Sequence, residues 1–174
     1  MIQIEYFANR QNAEWEAYAA AVRNEASVEA SPAYEAGGPI LESLTSPEVE
    51  GYCVIKGTIP PGVTVPLHSH GDTESFHVLS GEAQLLIKTT AEVQWKTLRY
   101  GDFIHIPSDV KHAWRNVSSR NFETIIITTP KLGRCLRQMG ELVKASPEQL
   151  QLISDSYGYW LGSPQQNAEL GIAA

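Results

Sequence analysis

The stretch "HSHGDTESFH", residues 68–77, holds three of the five histidines in this chain of 174 residues. Side chains alternate along a strand, so His68 and His70 face the same side, and Glu74 has the same parity. A straight strand would separate His68 from Glu74 by about 20 Å, whereas metal ligands lie about 2 Å from the ion. The intervening Gly71-Asp72-Thr73 has the chemistry of a turn. We therefore predict a strand, a tight turn and a second strand, with Glu74 returned beside His70 at a metal site.

The remaining histidines differ in what their surroundings indicate. His77 has the opposite parity to Glu74, so we predict that it faces away from the site and has a structural role. Three ligands from residues 68–74 do not complete the coordination sphere of a metal ion. A fourth ligand should come from His105 or His112. His105 lies in the apolar run "FIHI", which is typical of a core histidine, whereas His112 opens a strand after a loop-like connection. The residues favour His112 and leave His105 open.

The pattern of the chain divides it into three regions. Residues 1–50 contain an Ala- and Glu-rich segment, residues 10–24, which predicts a helix, followed by a connecting arm. Residues 51–129 contain many short segments rich in β-branched and aromatic residues, and these predict an antiparallel sandwich or barrel. Residues 130–174 contain two helical patterns, which we expect to pack on the outside of the β domain. The predicted fold is mainly β.

Charge and composition exclude several classes of partner. The formal net charge is -7, and residues 1–50 hold nine glutamates but only Arg10 and Arg23. An acidic segment disfavours nucleic acid or an anionic membrane as partner. No apolar run approaches the roughly 18 residues that a membrane span needs, and we expect a cytoplasmic protein. The two cysteines lie far apart in the sequence, so a disulfide framework is not indicated.

Two spaced motifs in this sequence resemble those of the cupin superfamily. The first motif reads Gly62, five residues, His68-Ser69-His70, three residues, Glu74, six residues, Gly81. The second motif reads Gly101, five residues, Pro107-Ser108-Asp109, two residues, His112, three residues, Asn116. Asp109 stands where the family has glycine, so nine of the ten fixed positions match. Aspartate tolerates a left-handed backbone better than most residues, so we expect this turn to be retained.

The resemblance implies both a fold and a metal site. The fold would be a single cupin double-stranded β-helix, or jelly-roll barrel, over residues 51–129, with an N-terminal helical segment and two C-terminal helices. The metal would be one divalent transition ion held by His68, His70, Glu74 and His112, which settles the fourth ligand. Iron, manganese, cobalt, nickel, copper and zinc all suit this ligand set. The family is also commonly dimeric, which implies a homodimer.

The expected function is that of a metal-dependent oxidoreductase, a dioxygenase acting on a small oxygenated molecule. Glu74 is the catalytic candidate, as a general base. By parity, Phe76, Val78 and Trp114 should line an apolar pocket that suits an aromatic or otherwise planar substrate. The closing segment, from about residue 128, is also similar to single-domain quercetinase-like cupins. Two alternatives stay open: a non-catalytic cupin that binds metal or a small ligand, and a metal-dependent isomerase or lyase.

Overall fold

The computed structural model describes residues 34–35, 38–46, 48, 50–88, 93–141 and 147–172. By its contacts the chain divides into residues 1–30 and residues 31–174, and every described residue belongs to the second unit. The helix predicted over residues 10–24 lies outside the described residues. Among the helices that are described, none has the length and apolar character needed to cross a membrane.

Within the described ranges the protein is mainly β. The strands are β1 (Tyr34–Glu35), β2 (Ile40–Ser43), β3 (Cys53–Ile59), β4 (Thr64–His70), β5 (Glu74–Ser80), β6 (Glu82–Lys88), β7 (Val93–Arg99), β8 (Phe103–Ile106), β9 (Lys111–Arg115), β10 (Phe122–Thr128) and β11 (Tyr159–Leu161). The helices are α1 (Pro130–Glu141), α2 (Pro147–Tyr157) and α3 (Pro164–Glu169). Each segment that the sequence predicts as a strand within residues 51–129 is a strand.

The strands form two antiparallel sheets with a core between them. The six-stranded sheet has the order β1-β2-β3-β10-β5-β8, and the five-stranded sheet has the order β11-β4-β9-β6-β7. Burial alternates along β3 and β10, so one face of each strand is inside. Both sheets contribute to one apolar cluster, for example Ile55 and Phe122 from the first and Leu85 and Trp114 from the second. This confirms the predicted jelly roll, although no strand pairing among the described residues closes the sheets into a barrel.

The stretch "HSHGDTESFH", residues 68–77, connects the two sheets. Its first part ends β4, in the five-stranded sheet, and its last part is in β5, in the six-stranded sheet. The predicted strand, turn and strand are therefore present. The two strands are not paired as a hairpin, however, because each pairs with other strands of its own sheet. The turn of residues 71–73 thus lies where the chain passes from one sheet to the other.

The C-terminal region has two predicted helices, α1 and α2, and two elements that the sequence did not predict. After Gly158, β11 pairs with β4 at the edge of the five-stranded sheet. The short helix α3 contains Asn167. Its buried Oδ1 accepts a hydrogen bond of 2.8 Å from the backbone N–H of Leu67 in β4. Leu67 also packs in an apolar cluster with Ile172. The last residues described therefore cover the outer face of the five-stranded sheet.

Asn116, the last fixed position of the second motif, has a structural role. Its Nδ2 donates to the carbonyl oxygens of Ile59 and Arg120, each at 2.7 Å. Its Oδ1 accepts from the backbone N–H of Ser118 at 2.9 Å and from the Ser118 hydroxyl at 2.7 Å. The side chain is buried with both of its polar atoms bonded, which is the condition for burying an amide without loss of stability. This part of the motif stabilises the fold.

Two motif glycines provide a matched test of the fold. Gly81 (φ +72) and Gly101 (φ +83) are both left-handed, but an added Cβ would overlap the carbonyl oxygen of Asn121 at Gly81 and meets nothing within 4 Å at Gly101. We predict that Gly101→Ala lowers the free energy of unfolding by about 1–2 kcal/mol, the cost of the left-handed backbone. Gly81→Ala should cost about 3–5 kcal/mol, because overpacking adds to the strain. Urea denaturation of both variants measures this, and equal losses would contradict it.

Candidate metal centre

Strand pairing brings the predicted metal ligands together. His68 and His70 are two residues apart at the end of β4, and His112 lies on the neighbouring strand β9, directly opposite His68. Glu74 is the first residue of β5, after the turn. All four side chains are buried. A buried carboxylate beside three buried imidazoles is unusual in a core, because such groups are normally solvated or paired.

The four side chains surround one point. One ring nitrogen from each of His68, His70 and His112 can be chosen so that all three lie within 4.8 Å of one another. Glu74 Oε2 lies 3.5 Å from His70 Nε2 and 3.4 Å from His112 Nε2. The chain therefore turns back after His70, so that Glu74 lies beside it. The three histidines are positioned to hold a metal ion, with the carboxylate next to them.

Backbone hydrogen bonds fix the orientation of each imidazole. The Nδ1 atoms of His68, His70 and His112 lie 2.8–2.9 Å from the carbonyl oxygens of Pro66, Asp72 and Val110. Since a carbonyl oxygen can only accept, each Nδ1 carries the proton and donates. In the neutral ring, Nε2 is then unprotonated and directs its lone pair away from the backbone. Metal-binding histidines in proteins are commonly held in this way.

The Nε2 atoms show that the residues fit a metal ion. His70 Nε2 and His112 Nε2 are buried and have no hydrogen-bond partner in the described part of the chain. Their contacts to Glu74, at 3.4–3.5 Å, are longer than a good hydrogen bond and are better described as electrostatic. An unsatisfied buried polar atom costs about 1–3 kcal/mol. A divalent cation would give both atoms a partner, and three imidazoles with one carboxylate suit a transition metal.

Burial and neighbouring charges set the protonation of the cluster. Burial, and then the neighbouring His112, lower the pKa of His68 well below its ordinary value, so this ring is neutral. Burial opposes protonation of His70, but Glu74 beside it raises the pKa of this imidazole. Burial also opposes the charge of Glu74, yet His112 and His70 lower its pKa below the ordinary value. Glu74 is therefore an ionised carboxylate that faces the three rings.

Tyr159 is a residue at this centre that the sequence did not reveal. Its ring on β11 stacks on His68, with centroids 5.1 Å apart and an angle of 4° between the planes, and lies 5.4 Å from His70. Burial, followed by the nearby Glu74 charge, raises the pKa of this phenol well above its ordinary value, so it stays protonated. The only sequence signal is the short run "YWL" after Gly158, which is too short to predict a strand.

The turn that carries the ligands is bound to helix α1. The Asp72 carboxylate accepts a hydrogen bond of 2.5 Å from the Thr129 hydroxyl, which in turn accepts the backbone N–H of Leu132 at 3.2 Å. Thr129 therefore connects the start of α1 to the residue whose carbonyl orients His70. On the other side, Asp109, at φ 64, donates its backbone N–H to the carbonyl oxygen of His70 at 2.8 Å. The expected left-handed turn at Asp109 is thus present.

The other two histidines lie on the outer face of the six-stranded sheet. His77 is exposed, as its parity predicts. His105 is also exposed, and its Nδ1 lies 3.0 Å from the hydroxyl oxygen of Ser75. The interpretation of His105 from the sequence as a core residue is wrong. In β8 the buried residue is Ile106, and His105 points to the other face of the strand. Neither histidine belongs to the buried cluster.

A cavity opens beside the cluster, between the sheets. It has about 700 Å³ of empty space, its open mouth included, and His68, Glu74 and Tyr159 line it. Phe76 and Trp114, the aromatic pocket candidates, also line it, with ring centroids 4.8 Å apart. The remaining lining residues are mostly apolar: Pro39, Leu41, Gly57, Thr58, Ile59, Val65, Phe122, Thr124, Ile126, Leu136 and Met139.

The placement of Val78 corrects the pocket prediction. Val78 has the same parity as Phe76, but it is fully buried in the core cluster and is not part of the cavity wall. It lies two residues further from the metal-binding turn, where the side chains of the two sheets pack against each other. The alternation of side chains thus identified the inner face of β5 correctly. It could not show how far the cavity extends along that face.

The comparison with protein families agrees with the fold and with this cluster. The Cupin_2 family, described as a cupin domain, matches residues 46–128. The matched residues contain both histidine motifs and most of the strands of the two sheets. The matched residues therefore form a cupin domain, as the two motifs indicated. Among curated proteins, no sequence matches this chain.

Solved structures resemble this chain in fold. An uncharacterized conserved protein with a double-stranded beta-helix domain from Klebsiella pneumoniae subsp. pneumoniae MGH 78578 is 17% identical with a TM-score of 0.50, and the match covers 76% of this chain and 98% of that chain. The DMSP lyase DddQ from Ruegeria pomeroyi DSS-3 is 25% identical with a TM-score of 0.42, over 56% of this chain and 42% of that chain. The chain thus matches less than half the length of that lyase, and the Klebsiella likeness shows the fold alone.

Metal binding can be tested with two histidine variants. We predict that His112→Ala weakens the affinity for Zn²⁺ or Co²⁺ by at least about 100-fold, because it removes one of the converging nitrogen atoms. His77→Ala, on the exposed face, should change the affinity by less than about twofold, which makes it the control. Competition with a chromophoric chelator measures the affinity, and thermal unfolding shows that both variants are folded. Equal losses in the two variants would contradict the assignment of His112.

Proposed function

We propose that the protein is a metal-dependent oxidoreductase, a dioxygenase, that acts on a small oxygenated molecule of aromatic or otherwise planar shape. The metal would be held by His68, His70, Glu74 and His112. The observation that carries the proposal is a pair of buried Nε2 atoms that no described residue hydrogen-bonds, beside the Glu74 carboxylate and next to an apolar cavity.

The number and kind of ligands support chemistry at the ion. Four protein ligands leave two positions of a six-coordinate ion for water or for a chelating substrate. When bound, a divalent ion would polarise an enol, a hydroxy-ketone or a flavonol and supply the affinity for O₂. The protein itself would supply the surroundings: the Phe76 and Trp114 rings exclude water from the cavity, and low polarity strengthens each electrostatic contact there.

Glu74 is the proposed general base. It is a buried, ionised carboxylate that lines the cavity, and its Oε2 lies 3.4–3.5 Å from the Nε2 atoms of His112 and His70. A carboxylate that loosens its contact with the ion can take a proton from a bound enol or hydroxyl group. Tyr159 keeps its phenol proton and stacks on His68, so it stabilises the orientation of that ring.

Oxygen consumption tests the proposed reaction. We expect O₂ uptake when the protein, loaded in turn with Fe²⁺, Mn²⁺, Ni²⁺ or Cu²⁺, receives flavonols or 1,3-diketones. Glu74→Gln should lower kcat by about 10²–10⁴-fold, because the amide cannot accept the proton. The metal content of the same sample separates the loss of the base from the loss of the ion.

The alternatives predict different outcomes of this experiment. Ligand-dependent thermal shifts without turnover of any compound would identify a binding protein. Conversion of a substrate without O₂ uptake would identify an isomerase or lyase. O₂ uptake that is unchanged by Glu74→Gln would reject the role of Glu74 as base.

We also propose that two copies of the chain form a homodimer in the cytoplasm. Support for the dimer comes from the outer face of the six-stranded sheet, where Phe103 is 62% exposed on edge strand β8 and Ile127 is 39% exposed on β10. Exposed apolar side chains on a sheet near its edge are typical of a protein interface. Support for the compartment comes from Cys53 and Cys135, which are buried free thiols.

The dimer is tested by a charge on this face. Phe103→Glu should convert the dimer to a monomer, because a carboxylate would be buried without a partner in the interface. Tyr100→Glu is the control, since Tyr100 is 79% exposed and lies after β7, outside the sheet. Light scattering gives the mass of each variant. A wild-type mass equal to that of one chain would reject the dimer.

A further inference from the structure

Gly57 occupies an unusual place in the fold. It lies in the middle of β3, at an inward-facing position between the buried residues Ile55 and Ile59. Its backbone is outside the left-handed region, so other residues could adopt it. Glycine in the interior of a strand weakens the strand, and it often marks a place where another group approaches the backbone closely. The conformation of the backbone therefore does not account for glycine here.

Gly57 is part of the cavity wall. A Cβ added at Gly57 would meet Ile126 Cδ1 at 3.0 Å and Thr124 Cγ2 at 3.4 Å, and all three residues line the cavity. The Thr124 hydroxyl is already engaged, since it donates to the carbonyl oxygen of His77 at 2.9 Å. A side chain at position 57 would press on Ile126 and Thr124, so the glycine leaves these two residues their place in the cavity wall. The wall offers mainly apolar contacts here.

Another part of the wall comes from helix α1. Leu136 and Met139 are three residues apart, on one face of the helix, and both line the cavity. They lie outside residues 46–128, which match the cupin domain. Neither belongs to the two histidine motifs, so this wall is independent of the ligand set. The cavity therefore extends from the metal ligands His68 and Glu74 to a wall that the C-terminal region builds.

The charges around the cavity limit the ligand. Among the described residues that line it, none is a lysine or an arginine. A divalent ion and the ionised Glu74 together leave one positive charge, which a singly charged oxygen group such as an enolate would balance. A small dianion would bring a second negative charge into a site whose described lining holds no lysine or arginine to balance it, and burying such a charge is costly.

We propose that this cavity binds the aromatic or other apolar body of a singly charged oxygen ligand, whose head reaches the metal centre. Gly57 and Met139 set the size of the body that fits. This inference rests on the proposed metal site and names its substrate class. It predicts that specificity depends on β3 and α1, while metal affinity depends on the histidines.

Two diketones that differ in one substituent test the proposal. The probes are acetylacetone and benzoylacetone, which carry the same head, and oxalate as the dianion. Their binding to Co²⁺-loaded protein is followed by the change in cobalt absorption. We expect benzoylacetone to bind at least about 10-fold more tightly than acetylacetone, as extra apolar contact in a pocket does. Oxalate should bind more weakly than either.

Variants of the two walls locate the body of the ligand. Gly57→Ala should weaken benzoylacetone binding by about 10-fold, the usual effect of one methyl group in a pocket, and change acetylacetone binding by less than about twofold. Met139→Phe adds bulk to the α1 part of the wall and should act in the same way. Gln138→Phe is the matched control, because Gln138 is exposed on the same helix. Thermal unfolding checks each variant, and Met139→Phe decides the result if Gly57→Ala is unfolded.

Each outcome separates the inference from the proposed function. Equal affinities for the two diketones, or equal losses of both in the wall variants, would overturn the inference. A failure to bind Co²⁺ would overturn the metal site and this inference with it. Selective binding of benzoylacetone without O₂ uptake would support the inference and reject the dioxygenase.

Discussion

The orientation of three buried imidazoles is the constraint on which the rest of this structure depends. Each ring donates its Nδ1 proton to a backbone carbonyl two residues away, so the geometry of β4, of the turn after it and of the approach to β9 is fixed by the same bonds that aim the rings. The pairing of His68 with His112 then brings the unprotonated nitrogens together. Burial makes this arrangement costly, because two Nε2 atoms have no hydrogen-bond partner among the described residues. The three imidazoles are thereby positioned to hold a metal ion.

The centre is buried by elements outside the two histidine motifs. Tyr159 on β11 stacks on His68, and α1 is joined to the metal-binding turn through the Thr129 hydroxyl and the Asp72 carboxylate. The same helix and strand share an apolar cluster that includes Leu132 and Tyr159. The C-terminal region is therefore part of the site in two ways, since it lowers the polarity around the ligands and forms one wall of the cavity.

How much of this the sequence could predict follows from the range of the interactions. Parity and turn chemistry are local, so residues 68–77 were enough to predict the strand, the turn and the outward direction of His77. His112 is distant in sequence, and only the resemblance to the cupins distinguished it from His105. Tyr159 and the α1 wall depend on how the C-terminal region docks, which no local pattern encodes. Val78 shows the same limit, because parity gives the face of a strand and not the depth of a cavity.

The places where this chain departs from the best local choice lie around one centre. Gly57 weakens the interior of β3, Asp109 adopts φ 64 without being glycine, and two imidazole nitrogens are buried without a partner. Away from the centre the local rules hold, as at Asn116, where every polar atom of the buried amide is bonded. Local costs that are otherwise avoided tend to be retained where function needs them. Asp109 supports His70 through its backbone N–H, and Gly57 and His68 both line the cavity, so all three departures lie at the candidate metal centre and its cavity.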